Sequence, residues 1–140
     1  MKGKQKLAPT LELRLRDQED VVAVRQAARG QATSVGLSLV DQTKFVTAAS
    51  ELGRNTVIHG GGGTAVLELV QQGSKRGIRI SFTDKGPGIA DIHRALQDGY
   101  TTGAGLGLGL GGAKRLVSEF TIDSTPGIGT RVVITQWSTK

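Results

Sequence analysis

Hydrophobic and polar positions alternate over residues 10–16, which places three leucines on one face of a predicted strand. Helical spacing follows this strand in two successive segments. Asp17 or Asp20 is the predicted N-cap of the first helix, which runs to about residue 35. Asp41 is the predicted N-cap of the second, which runs to about His59. Its apolar stripe consists of Phe45, Ala49, Leu52 and Thr56.

The second half of the chain returns to alternation. Residues 64–70 and 78–83 predict two strands of a hairpin, and Asp91 predicts the start of a short helix. A glycine-rich loop, a helix over about 109–119 and strands near 121–124 and 130–136 follow. Helices over one face of a mixed, mostly antiparallel sheet form an α/β (α+β) fold, the two-layer α/β sandwich.

Composition bounds the possible functions. A length of 140 residues fits one domain, which we place at residues 10–140 behind a flexible basic tail at 1–9. The net charge of +6 suits an acidic protein, a phosphorylated ligand or nucleic acid, and the five aromatic residues are too few to predict a stacking surface for single-stranded nucleic acid. The absence of cysteine excludes disulfides and thiolate metal sites. Neither a signal core nor a membrane-spanning apolar run is found, which predicts a cytoplasmic protein without membrane contact.

The second predicted helix carries a candidate catalytic pair. Glu51 and Asn55 are four positions apart and therefore share a face. A carboxylate can accept a proton from a hydroxyl, and an amide oxygen is a ligand suited to Mg²⁺. The alternative is a solvated helix face without chemistry.

A second candidate lies at the end of the predicted hairpin. Asp84 can accept a hydrogen bond from an amino group such as that of adenine, and Gly86 and Gly88 would keep the backbone clear of the base. The alternative is an aspartate that begins a Pro-Gly turn.

The glycine run provides the third candidate. Glycines at 103, 105, 107 and 109 alternate with Ala104, Leu106 and Leu108, and a helix follows. Free backbone amides before a helix suit phosphate oxygens, and mobile glycines with apolar anchors suit a lid. A hinge without ligand is the alternative. The motif is neither a P-loop, since no G-K-[ST] follows, nor a dinucleotide fingerprint, since the βαβ context is missing.

Taken in order, these segments resemble the motifs of the GHKL (Bergerat-fold) ATPases. Residues 51–55 resemble the N-box, residues 84–88 the G1 box, residues 103–109 the G2 box with the ATP lid, and Gly129-Thr130 the terminal G-T signal. Residues 84–92, 98–102, 105–110 and 114–120 further resemble the RsbT-type switch kinases. These are serine/threonine kinases of bacterial stress-signalling (stressosome) modules, related to the anti-sigma factors.

The resemblance implies ATP and Mg²⁺ as cofactors. It also implies a STAS-domain substrate and a PP2C-type phosphatase that the kinase activates by binding. Glu51 would be the general base, Asn55 would hold Mg²⁺, and Asp84 would bind the adenine amino group with Gly86 and Gly88 beside it. Thr130 would support the adenine end. The lid and its phosphate contacts would be formed by Gly103, Gly105, Leu106, Gly107 and Gly109.

Two other functions stay open. An anti-sigma factor or nucleotide-gated adaptor would hold a sigma factor with little kinase activity, and a basic nucleic-acid binder is a weaker third possibility. Some glycines also depart from the family pattern. Gly53 inside the predicted N-box helix costs about 1 kcal/mol relative to alanine, residues 60–63 indicate a loose loop, and Gly111 stands where related kinases often have proline.

Overall fold

A computed structural model describes residues 5–6, 9–97 and 109–139. Its strands are β1 (Gln5–Lys6), β2 (Leu11–Leu15), β3 (Gly63–Gln72), β4 (Lys75–Asp84), β5 (Glu119–Thr125) and β6 (Gly129–Trp137). Its helices are α1 (Gln18–Ser34), α2 (Leu39–Ile58), α3 (Ile92–Ala95) and α4 (Gly109–Arg115).

The strands form one six-stranded sheet in the order β1-β3-β4-β6-β5, and β2 also pairs with β3. β1 and β2 follow one another along the same edge of β3, with Gln5 opposite Gln71 and Leu11 opposite Leu67. Every strand pair in the described ranges is antiparallel. The predicted two-layer α/β sandwich is confirmed, and β1 lies within the segment that we expected to be a tail.

Both long helices begin at a side-chain cap. Asp17 caps α1 by accepting a hydrogen bond from the backbone N–H of Asp20 at 3.1 Å, as predicted. The predicted cap of α2 is wrong, because Ser38 Oγ accepts from the N–H of Asp41 at 3.1 Å and Asp41 lies in the first turn. A serine three residues upstream satisfies the free amide, and the carboxylate then complements the positive end of the helix dipole.

The hydrophobic core lies between the helices and one face of the sheet. All four positions of the predicted stripe on α2 are buried, which confirms the helical period. Across from it, β4 and β6 place every second residue in the core, since strand side chains alternate between faces. The largest fully buried side chains include Phe45, Leu15, Leu52, Leu67, Ile78, Ile80 and Ile134. Within the described residues, no helix is long and apolar enough to cross a membrane.

Candidate functional site

The last turns of α2 bring Glu51 and Asn55 to the edge of the core. Their neighbours Leu52 and Thr56 are buried, so the two polar side chains lie half-buried beside the apolar face. Glu51 has a side-chain exposure of only 10%. Its Oε2 accepts a hydrogen bond from the backbone N–H of Gly109 at 3.3 Å, and its Oε1 is 3.9 Å from Arg54 Nη1. Glu51 therefore contacts the first residue of α4.

Asp84 is the last residue of β4, and the backbone of Gly60 and Gly86 lies close to it. Its Oδ1 accepts the N–H of Gly86 at 2.9 Å, which folds the chain back over the carboxylate. A Cβ at Gly60 would lie 2.5 Å from Asp84 Oδ2, and a Cβ at Gly86 would lie 2.7 Å from the Gly60 carbonyl oxygen. Gly60 is thus packed against Asp84, because the absence of a side chain leaves room for the carboxylate, and Gly63 is opposite Asp84 across β3 and β4.

The loop after Asp84 is fixed to the β5–β6 hairpin at two points. The N–H of Gly127 donates to the Pro87 carbonyl at 2.8 Å, and the N–H of Ile89 donates to Ser124 Oγ at 2.8 Å. Between them, Gly88 has a φ of 78°, which other residues adopt only with strain. The aspartate is therefore followed by a held loop and not by a free turn.

Thr130 lies beside Asp84 in the sheet. The two are directly opposite each other across β4 and β6, and Ser124 is opposite Thr130 across β5 and β6. Thr130 Oγ1 and Ser124 Oγ are 2.7 Å apart. Sequence analysis missed Ser124, although counting back across the Pro126-Gly127 turn from Thr130 would have found it.

The lid is the part of the predicted site that lies outside the described residues. Gly103, Gly105, Leu106 and Gly107 all fall there, whereas Gly109 begins α4. α4 ends at Arg115, earlier than predicted. Gly111 packs its backbone against the carbonyl of Leu96, where a Cβ would collide, and this contact accounts for the small residue at that position.

The described part of the site comprises a half-buried carboxylate on a helix, a second carboxylate at a strand end and a threonine next to the second carboxylate. The last two lie in one row across the sheet. The described ranges contain no group of three or more histidine, aspartate or glutamate side chains that could hold a metal ion.

Comparison with known proteins identifies the class. Residues 40–139 match the family of histidine kinase-, DNA gyrase B- and HSP90-like ATPases, and the chain belongs to that family. A crystal structure of the RsbU and RsbW domains of a Mycobacterium tuberculosis protein matches with a TM-score of 0.61 and 25% identity. The match covers 92% of this chain and 32% of that one.

More closely related sequences narrow the class. The serine/threonine-protein kinase RsbT of Bacillus subtilis (strain 168) is 42% identical over 125 residues, which cover 89% of this chain and 94% of RsbT. The anti-sigma F factor of Thermoanaerobacter sp. (strain X514) is 35% identical over 97 residues, 65% of this chain and 66% of that protein. The predicted resemblance is confirmed: the chain is an RsbT-type serine/threonine-protein kinase of the partner-switching kind.

Proposed function

We propose that the kinase binds ATP with the adenine amino group on Asp84 and transfers phosphate to a serine or threonine of a separate STAS-domain protein. The observation that carries this proposal is the Asp84 carboxylate, held by the Gly86 N–H at 2.9 Å and approached so closely by Gly60 that a Cβ would collide. An ionised carboxylate only accepts hydrogen bonds, and an amino group donates them. Because Gly60 and Gly86 carry no side chain, the backbone of both residues can lie close to this carboxylate.

Glu51 is the proposed general base. Its side chain is only 10% exposed and so is largely shielded from bulk water. It also contacts Gly109, the first residue of α4, which directly follows the proposed lid segment in the sequence. A base at this position can accept the proton of a substrate hydroxyl as the phosphoryl group is transferred. The lid residues Gly103, Gly105, Leu106, Gly107 and Gly109 are proposed to contact the phosphates through backbone amides.

Asn55 is the proposed protein ligand of Mg²⁺. Its half-buried amide lies one helical turn from Glu51, and a single amide oxygen fits an ion that is otherwise held by phosphate oxygens and water. Bound Mg²⁺ neutralises charge on the phosphates. Thr130, opposite Asp84 in the sheet, is proposed to support the adenine end through its hydroxyl.

The resemblance to RsbT-type kinases supports the proposed partners. An RsbT-type kinase is expected to phosphorylate a STAS-domain antagonist and to activate a PP2C-type phosphatase by binding it. The similarity to anti-sigma F factors supports a second candidate function, a nucleotide-gated adaptor that holds a sigma factor. We retain a cytoplasmic location as a prediction.

Two substitutions test the assignment. Asp84→Asn keeps the size of the side chain but introduces a donor where an acceptor is needed. Loss of a charge-assisted hydrogen bond predicts about 10- to 100-fold weaker ATP binding by calorimetry with Mg²⁺. Glu51→Gln preserves shape and should leave ATP binding within about twofold while slowing transfer about 10²- to 10⁴-fold.

Transfer is measured with labelled ATP and a purified STAS-domain protein. Label on a serine or threonine supports the kinase, and tight binding without label supports the adaptor. Transfer by Glu51→Gln at the wild-type rate would show that another group accepts the proton. Failure of the folded wild-type protein to take up ATP would refute the nucleotide site as a whole.

A further inference from the structure

One hydroxyl connects two motifs that are far apart in the sequence. Ser124 Oγ, on β5, lies 2.8 Å from the Ile89 nitrogen, 2.7 Å from Thr130 Oγ1 and 3.2 Å from the Gly129 carbonyl oxygen. Ile89 follows the loop that begins at Asp84. Gly129 and Thr130 begin β6. Ser124 is therefore the point at which the Asp84 loop, Thr130 and the edge strand meet.

The bonding capacity of a hydroxyl explains how Ser124 acts. It has one proton to donate and two acceptor positions, and the Ile89 N–H occupies one of those positions. Its proton goes to the Gly129 carbonyl or to Thr130 Oγ1, and in the first case Thr130 donates to Ser124. In both arrangements the Thr130 hydroxyl is bonded to Ser124, which fixes the rotamer of Thr130.

The register of the sheet connects this contact to the ligand carboxylate. Ser124 is opposite Thr130, and Thr130 is opposite Asp84, so the three side chains form one row on the helix-facing side of the sheet. The other members of this face of β5, Phe120 and Ile122, pack against the core. Ser124 is the next residue on the same face of β5, at the end of the strand where the core stops and the candidate site begins.

We propose that Ser124 is a positioning residue for adenine recognition. It holds the Thr130 hydroxyl beside the Asp84 carboxylate and fixes the loop that follows Asp84, so that both polar groups face the amino edge of the base. This inference rests on the proposed function, in which Asp84 and Thr130 contact adenine. Ser124 itself need not touch the nucleotide.

The test compares two nucleotides and two variants. Calorimetry with Mg²⁺ measures the affinity of wild type, Ser124→Ala and Thr121→Ala for ATP and for purine riboside triphosphate, which lacks the amino group. Thr121 is an exposed residue of the same strand on the opposite face of the sheet, and serves as the matched control. Ser124→Ala should weaken ATP binding about tenfold, as expected for one lost half-buried hydrogen-bond partner, and change binding of the analogue by less than about twofold. Thr121→Ala should change neither.

A double-mutant cycle with Thr130→Val tests the route of the effect. If Ser124 acts through Thr130, adding Ser124→Ala to Thr130→Val should cost less ATP affinity than Ser124→Ala costs in the wild type, because one of the groups being positioned is already gone. The remaining loss is assigned to the Ile89 contact. Additive losses in the cycle, an equal loss for both nucleotides, or unchanged ATP affinity in Ser124→Ala would each overturn the proposal. Wild-type protein that binds ATP in the same experiment keeps such a failure distinct from a failure of the proposed function.

Discussion

The two halves of α2 differ in what they contribute: the first half packs the hydrophobic core, and the second half carries polar residues of the candidate site. The first half contains Phe45 and buries it completely in a close-packed core, where added space is costly. The second half carries Glu51 and Asn55 and ends at Ile58, and Gly60 follows it at a position where a Cβ would lie 2.5 Å from Asp84 Oδ2. One continuous helix thus connects the hydrophobic core to the candidate site, and the packing is close in both places. Packing of α2 on the core therefore fixes the position of the two residues that are proposed to act in catalysis and Mg²⁺ binding.

The largest expected effect tests the core half. Phe45→Ala removes a fully buried ring and should lower the free energy of unfolding by about 3–5 kcal/mol, measured by urea denaturation. The folded fraction should still bind ATP within about twofold of wild type, because the cavity lies away from the Asp84 end of the sheet. A large loss of affinity in the folded fraction would contradict the separation of the two halves.

The next effect tests the site half. The backbone at Gly60 is not in the left-handed region, so Gly60→Ala adds only a methyl group, and that group would lie 2.5 Å from Asp84 Oδ2. Moving the carboxylate should weaken ATP binding about 10- to 100-fold, comparable to loss of its charged hydrogen bond. Calorimetry measures this loss.

Asp84→Asn supplies the control for that variant. If Gly60 acts by positioning Asp84, the double variant should bind ATP about as weakly as Asp84→Asn alone. Wild-type affinity in Gly60→Ala would mean that the loop moves away without consequence, and the tight contact would then have no functional meaning.

The same comparison explains what the sequence could predict. The apolar stripe of α2 and the alternation of β3 and β4 set the fold, because burial follows the period of each element. Helical spacing singled out Glu51 and Asn55, and the end of the predicted hairpin singled out Asp84. The resemblance to the ordered GHKL motifs implied Thr130 and the roles of all four residues, and these roles remain proposals.

Contacts between segments that are far apart in the sequence could not be predicted from hydrophobic patterns or motifs. The approach of Gly60 to Asp84 and the link from Ser124 to Ile89 depend on how α2, β4 and β5 are placed in three dimensions. A run of glycines indicates looseness when read alone, whereas the fold uses one of them for close packing. The prediction of Asp41 as the N-cap failed because Ser38, three residues earlier, is also a good capping residue and occupies that position.

A smaller effect is expected at the middle of α2, between the two halves. A Cβ at Gly53 would lie 3.6 Å from Val21 Cγ1, 3.7 Å from Leu15 Cδ2 and 3.8 Å from Phe82 Cε2, all ordinary contacts. Gly53→Ala should therefore raise the free energy of unfolding by about 1 kcal/mol, because alanine is the better helix former. Gly30→Ala, in α1 with no atom within 4 Å of the added Cβ, is the matched control for propensity alone. A loss of stability in Gly53→Ala would show that the packing around the middle of α2 is too close to accept an added methyl group.

The smallest effect is expected outside α2, at a surface ion pair. It shows how little stability changes when neither the core half nor the site half is altered. At the start of α1, Arg16 Nε donates to Asp20 Oδ2 at 3.0 Å, and this hydrogen bond lowers the pKa of Asp20 below its ordinary value of 3.8. A carboxyl group with a lowered pKa in the folded state stabilises the protein at neutral pH and stops doing so as the pH falls through that lowered value. Arg16→Gln should therefore reduce Tm slightly at pH 7, with the difference from wild type shrinking on acidification and in about 1 M salt. A Tm difference that persists under both conditions would assign the effect of Arg16 to packing instead of charge.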